Sequence, residues 1–201
     1  EDVGRIGLAI APSWPSRVYA QITGGQTVSL NGLGLWRTDD GGANWQPVAL
    51  PAGARADKLA VLGGNWLWAT GTPGAIVASN DAGQTWSTQF TTQGVPLLDV
   101  SLGDLSSGIA VGVDGFTYRT TDGGASWTLI GGGAPVASGL AWDVVRRGAL
   151  AWASLTNGAI LRSTDDGANW QEIPAGLPQT AYRSIDFADD LSGFAVGRRS
   201  G

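Results

Sequence analysis

The sequence predicts an all-β fold, a β-propeller of four-stranded antiparallel blades, and three observations carry the prediction. An eight-residue segment recurs four times without gaps, at Thr38–Trp45, Ser79–Trp86, Thr120–Trp127 and Ser163–Trp170, with the pattern Ser/Thr-x-Asp-x-Gly-x-(Asn/Thr/Ser)-Trp. The closing tryptophans fall 41, 41 and 43 residues apart, a period that suits one propeller blade. Each period also holds four short apolar runs separated by Gly, Pro and polar turns, which is the strand content of a blade.

The elements follow in order along the chain. Ahead of each eight-residue segment stands a Gly and a short apolar strand: Gly34–Arg37, Gly74–Ala78, Gly115–Arg119 and Gly158–Arg162. After each Trp comes an outer strand: Gln46–Leu50, Ser87–Phe90, Thr128–Ile130 and Gln171–Ile173. Two earlier runs complete each unit, at Ile6–Ala11 with Val18–Thr23, Leu59–Leu62 with Trp66–Thr70, Leu97–Leu102 with Ile109–Val113, and Leu140–Val145 with Ala149–Leu155. These runs are continuously apolar rather than alternating, as expected of strands buried on both faces between neighbouring blades.

A fifth unit begins near Tyr182, where Asp189–Gly197 matches Asp104–Gly112 at a distance of 85 residues. The expectation is one propeller domain with blades at about residues 5–50, 58–90, 97–130 and 136–173 and a partial blade at 182–201, belonging to a larger propeller.

Each position of the repeated segment has a structural job. In the four copies the Asp (Asp40, Asp81, Asp122, Asp165) accepts hydrogen bonds from turn amides, and the Ser/Thr (Thr38, Ser79, Thr120, Ser163) adds one more local bond. The Gly (Gly42, Gly83, Gly124, Gly167) allows positive φ. The Trp (Trp45, Trp86, Trp127, Trp170) folds across the turn and buries a large apolar area. The alternative, calcium binding, lacks the spaced acidic positions and terminal Glu of a helix–loop–helix calcium loop, so no metal site is expected. A residue present in every blade is also a poor candidate for a unique catalytic role.

Composition narrows the chemistry further. The chain has no Cys and no His, which removes thiolate metal sites, disulfides and the commonest general base. Its net charge is −5 with Lys58 as the single lysine, which argues against non-specific nucleic-acid binding. No run of apolar residues is long enough to span a membrane. The opening Glu1-Asp2-Val3-Gly4 has neither a Met nor a signal segment, as in a processed or internally cut chain.

These residues resemble the BNR/Asp-box propellers, a group that includes sialidases, sortilin-type receptors and xyloglucan-degrading hydrolases. The stretch from Asp99-Val100-Ser101 through Ser107–Gly115 to Tyr118–Trp127 is most similar to the photosystem II stability/assembly factor family and to related exported bacterial proteins. The opening Arg5–Ser13 and Arg17–Ala20 are more similar to the first blade of hydrolase-type members. The resemblance implies a non-enzymatic scaffold that docks a protein partner or copies of itself, exported to the periplasm, the exterior or the cell surface, with no cofactor. It also implies an arginine patch for docking; Arg37, Arg119 and Arg162, each just ahead of a repeated segment, are the candidates. The plainer reading is that each lies along its own blade and covers apolar surface with its stem. Arg146-Arg147 and Arg198-Arg199 read as solvated turn charges.

The rival reading is a carbohydrate-active hydrolase, either sialidase-like or xyloglucanase-like, with its catalytic part incomplete in this sequence. Sialidase members resemble one another in an arginine triad, a Tyr nucleophile with a Glu partner, and an Arg-Ile-Pro motif. Here Arg5-Ile6 is followed by Gly7, and Glu172 is the one Glu besides Glu1 and lies in an outermost strand. A xyloglucanase-like site needs two facing carboxylates, and Asp99, Asp143 and Asp186 fall at comparable places in successive inner strands. A third reading is a subunit of a surface assembly or filament, because an incomplete fifth blade leaves a sheet edge to be covered.

Overall fold

The computed structural model describes residues 5–23, 34–113, 116–131, 141–173 and 181–198. Residues 136–140, where the fourth blade is expected to begin, and 199–201, with Arg199, lie outside the described residues. Among the described residues there is no α-helix; β-strands assemble into four four-stranded antiparallel sheets and one two-stranded sheet. The chain divides into two units, Glu1–Gly94 and Val95–Gly201.

The first unit holds two blades. Strands β1 (Arg5–Ile10), β2 (Val18–Thr23), β3 (Gly34–Thr38) and β4 (Gln46–Val48) pair in sequence order, as do β5 (Lys58–Leu62), β6 (Trp66–Gly71), β7 (Ala75–Ser79) and β8 (Ser87–Thr91). Strand β7 is buried along its whole length, whereas β4 carries Gln46 and Pro47 and is exposed over both. Tyr19, Leu35, Leu67, Ala69 and Val77 form the core between the two sheets, with Leu59 and Val61 of β5 packed onto it.

The second unit holds two blades and the two-stranded sheet. Strands β9 (Leu97–Leu102), β10 (Gly108–Gly112), β11 (Thr117–Thr120) and β12 (Thr128–Gly131) form one sheet. Strands β13 (Ala141–Arg147), β14 (Leu150–Leu155), β15 (Ile160–Ser163) and β16 (Gln171–Ile173) form the next, and β17 (Ala181–Phe187) pairs with β18 (Gly193–Arg198). Ile109 and Val111 pack on Val144 and Ala141 of the following blade, and Trp152 and Ile160 pack on Tyr182 and Ile185.

The register fixes which residues are equivalent. Tyr19 faces Arg37, Trp68 faces Ala78, Ile109 faces Arg119 and Trp152 faces Arg162 across the second and third strands. Phe194 is the fifth member, since Gly193–Gly197 repeats Gly108–Gly112. The first four side chains are at most 2% exposed, whereas Phe194 is 76% exposed and has no following blade over it among the described residues.

Two readings of the inner strands are corrected by this register. Asp99 pairs with Val111 and Asp143 with Ser154, but the residue opposite Val196, in the matching place, is Ser184. Asp186 instead lies opposite Phe194 and is exposed, so it is not the third member of the Asp99–Asp143 series. Arg146 is not a solvated turn charge. Strand β13 runs through Arg147, and Arg146 is a buried strand residue whose side chain is only 3% exposed.

Candidate functional site

The eight-residue segments fold alike. In the third blade Asp122 accepts the Thr120 hydroxyl (2.8 Å) and the Ser126 amide (2.9 Å) on one oxygen, and the Ser126 hydroxyl (2.5 Å) on the other. Thr120 Oγ1 in turn accepts the Gly124 amide at 2.9 Å. Asp81 makes the same bonds with Ser79 and Thr85, Asp165 with Ser163 and Asn169, and Asp40 with Thr38 and Asn44. Because these donors favour the ionised form, they pull three carboxyls down to about 2. The leading donor is the Thr85 hydroxyl for Asp81, the Ser126 hydroxyl for Asp122 and the Asn169 amide for Asp165. Asp40, held foremost by Thr38, lies lower still. Each of these carboxylates thus has both oxygens engaged within its own turn.

The glycines Gly42, Gly83, Gly124 and Gly167 all have positive φ, between 77° and 99°. The tryptophans differ more. Trp45 and Trp86 donate to Gly42 O (3.1 Å) and Gly83 O (3.2 Å), whereas the buried Trp170 indole N–H has no acceptor among the described residues. Trp127 is 8% exposed and Trp45 is 37% exposed.

These turns also form part of the seams between blades, which the motif alone does not reveal. In the first unit Tyr19 donates its hydroxyl to Ala82 O at 2.9 Å, and Arg37 donates to the same carbonyl at 3.0 Å. Arg37 is held in turn by Asp39, which also pairs with Arg17. In the second unit Arg119 donates twice to Asp166, at 2.6 and 3.0 Å. Ala82 and Asp166 occupy the same place, the residue after the turn Asp, and both have positive φ. Asp166 also pairs with the buried Arg146, making an Arg–Asp–Arg cluster. Burial, and after it the nearby Arg119, draws Arg146 below the usual arginine range, while Asp104 opposes the shift. Arg37 and Arg119 therefore bind the neighbouring blade.

Arg162 is different. Its Nε is buried without a hydrogen-bond partner, and its guanidinium lies over the Trp152 ring at 5.9 Å. It borders a groove of about 530 Å³ lined by Trp152, Ile160, Ile173, Leu191 and Ala195. Trp152 is itself stacked on Phe187 with ring centroids 4.0 Å apart.

The inner carboxylates also span seams, from the same sheet faces as Ile109 and Trp152. Asp99 accepts the Val100 and Val144 amides, each at 2.8 Å. Asp143 accepts the Ile185 amide (2.8 Å) and the Ser184 hydroxyl (2.9 Å) on one oxygen. Each joins its own blade to the inner strand of the next. The tyrosines Tyr19, Tyr118 and Tyr182 are all buried.

Four-stranded sheets closed by this turn, with the turn gripped by the preceding blade, define an Asp-box β-propeller. The chain belongs to the photosynthesis system II assembly factor YCF48 family, whose model matches residues 20–131. The photosystem II assembly lipoprotein Ycf48 of Synechococcus sp. (strain CC9902) is 38% identical over 96 residues, which are 45% of this chain and 28% of that protein. The chain thus spans little more than a quarter of that curated relative.

Among solved structures, YCF48 from Cyanidioschyzon merolae superposes with a TM-score of 0.51 at 15% identity, over 98% of this chain and 93% of that one. A YCF48 bound to D1 peptide gives 0.52 at 16% identity, over 98% and 91%. A GH74 enzyme from Niastella koreensis gives 0.63 at 16% identity, over 90% of this chain and 33% of the enzyme. At such identities the structural likeness speaks for the fold, which the hydrolase shares.

Proposed function

We propose that this chain is a non-enzymatic assembly factor that docks a polypeptide partner, with both units belonging to one propeller domain. The observation that carries the reading is the state of Asp99 and Asp143. An inverting or retaining glycosidase needs one carboxyl free to protonate a leaving group and another free to attack or to activate water. Both buried carboxylates are instead engaged with amides of the next blade, so they hold blades together. The four turn carboxylates are engaged in the same way within their own loops.

The polypeptide reading draws on the family and on the YCF48 neighbour bound to D1 peptide. Within this chain Arg162 is the docking arginine, because Arg37 and Arg119 are already spent on Ala82 and Asp166. The turn residues are structural. Export fits a relative that is a lipoprotein, and no helix among the described residues is long and apolar enough to cross a membrane.

Incubation with sialosides, xyloglucan and other β-glucans is the test, read as released sugar. No turnover is expected. Turnover abolished by Asp99→Asn or Asp143→Asn, in variants that remain folded, would replace this reading with the hydrolase one.

A further inference from the structure

The hairpin between β14 and β15 places an exposed asparagine directly ahead of a glycine, in the loop Thr156-Asn157-Gly158. Leu155 donates its amide to Ala159 O at 2.9 Å, and Gly158 donates to Leu155 O at 3.1 Å with φ of 90°. A three-residue loop closed by a left-handed glycine is a common hairpin form. Asn157 Oδ1 accepts the Ala159 amide at 3.1 Å, so the carboxamide is folded forward along the chain over the peptide that joins it to Gly158.

That geometry brings an electrophilic carbon to a main-chain nitrogen that no side chain shields. The Ala159 N–H also points at the oxygen on which negative charge would grow if the nitrogen attacked, which favours the attack. The other asparagines among the described residues are placed otherwise. Asn44 and Asn169 donate to the carboxylates of Asp40 and Asp165, and both precede a Trp. Asn65 precedes Trp66, and Asn80 precedes Asp81.

We propose that Asn157 is a site of spontaneous deamidation, with the Gly158–Leu155 hydrogen bond as its brake. Hydroxide removes the Gly158 amide proton, and the nitrogen adds to Asn157 Cγ. The new N–Cγ bond closes a succinimide ring, the Cγ–Nδ2 bond breaks, and the departing nitrogen takes a proton from water and leaves as ammonia. Water then opens the ring at either carbonyl, giving aspartate or, with the main chain rerouted through Cγ, isoaspartate. One water is consumed and one ammonia released. The proton that must leave first is the one donated to Leu155 O, so the reaction waits on local opening of the turn. The product adds a negative charge to the loop, and isoaspartate lengthens the main chain where β14 turns into β15.

The test is to age the full chain in mildly basic buffer, folded and in guanidinium, and to map it after cleavage by trypsin. Cleavage after Arg147 and Arg162 isolates Asn157 in a peptide of residues 148–162, in which it is the one asparagine. Asn31, which precedes Gly32 outside the described residues, falls in a different peptide, 18–37. Peptide 148–162 should gain the mass of NH2 replaced by OH and resolve into two products, aspartate and isoaspartate. The gain should build up several-fold more slowly in the folded chain than in guanidinium, and faster as pH rises. Asn157→Gln, whose longer side chain must close a larger ring, should lose the gain while keeping the melting temperature.

A folded chain that shows no gain in this peptide overturns the site. Equal rates in the folded and unfolded chains overturn the hydrogen bond as its brake. Aspartate formed with no isoaspartate means direct hydrolysis of the amide and overturns the ring-closing step, and a gain that persists in Asn157→Gln does the same.

Discussion

Arg119 of the third blade and Asp166 of the fourth are 2.6 Å apart, and the relation repeats that of Arg37 to the Ala82 carbonyl in the first and second blades. In both cases an arginine just ahead of one turn holds the residue after the Asp of the next turn. The repeat thus reaches beyond each blade, and its turns serve as receivers for their neighbours.

Asp166→Asn should destabilise more than Arg119→Ala. The asparagine keeps the positive-φ backbone of 65° accessible but removes the charge that faces the buried Arg146. Stranding a buried cation costs about 3–5 kcal/mol. Arg119→Ala leaves Asp166 paired with Arg146 and should cost about 1.5–3 kcal/mol, in the range of a charged hydrogen bond. Urea denaturation of both variants checks the order; equal costs would mean that Arg146 does not depend on Asp166.

The tryptophans should not be equal in worth, although the motif makes them look so. Trp127→Ala should cost about 3–5 kcal/mol, as for a large aromatic leaving a core. Trp45→Ala should cost clearly less, because 37% of that residue is already exposed against 8% for Trp127. Thermal unfolding of the two variants gives the comparison.

Gly167→Ala should destabilise through two effects at once. The site has φ of 81°, which a side chain rarely adopts, and a β-carbon would lie 2.5 Å from Ile109 Cδ1. The backbone share is about 1–3 kcal/mol. Ile109→Val removes the clashing methyl, so the double variant should be more stable than the sum of the two singles predicts. Strict additivity would show that the turn and Ile109 are not in contact.

Acid should weaken the fold through the turn carboxylates. Asp81, Asp122 and Asp165 are depressed to about 2 from 3.8, foremost by hydrogen bonds from Thr85, Ser126 and Asn169. The unfolded state binds protons more readily, so their stabilisation is complete above about pH 4 and is lost as pH falls towards about 2. The urea midpoint should fall across that window, and Asp122→Asn should flatten its slope. A midpoint independent of pH there would contradict the turn geometry.

The four-stranded sheets and the positions of most strands were legible in the sequence because the repeat that marks them is local. What lies between blades was not. Arg146 looked like half of a turn dipeptide because its partner Asp166 is a turn residue 20 positions on, and nothing local marks their contact. Asp186 resembles Asp99 and Asp143 in residue type alone: the 85-residue offset that carries Asp104–Gly112 onto Asp189–Gly197 carries Asp99 onto Ser184, the residue opposite Val196. The arginines could be placed on their strands but not assigned, since what Arg37 and Arg119 hold, the Ala82 carbonyl and Asp166, lies in the next blade.

Calorimetric titration of the full chain with the D1 peptide tests the proposed function most directly. Saturable binding, with no sugar released from xyloglucan by the same preparation, is the predicted result. No binding of the peptide together with steady hydrolysis of the glucan would contradict the account.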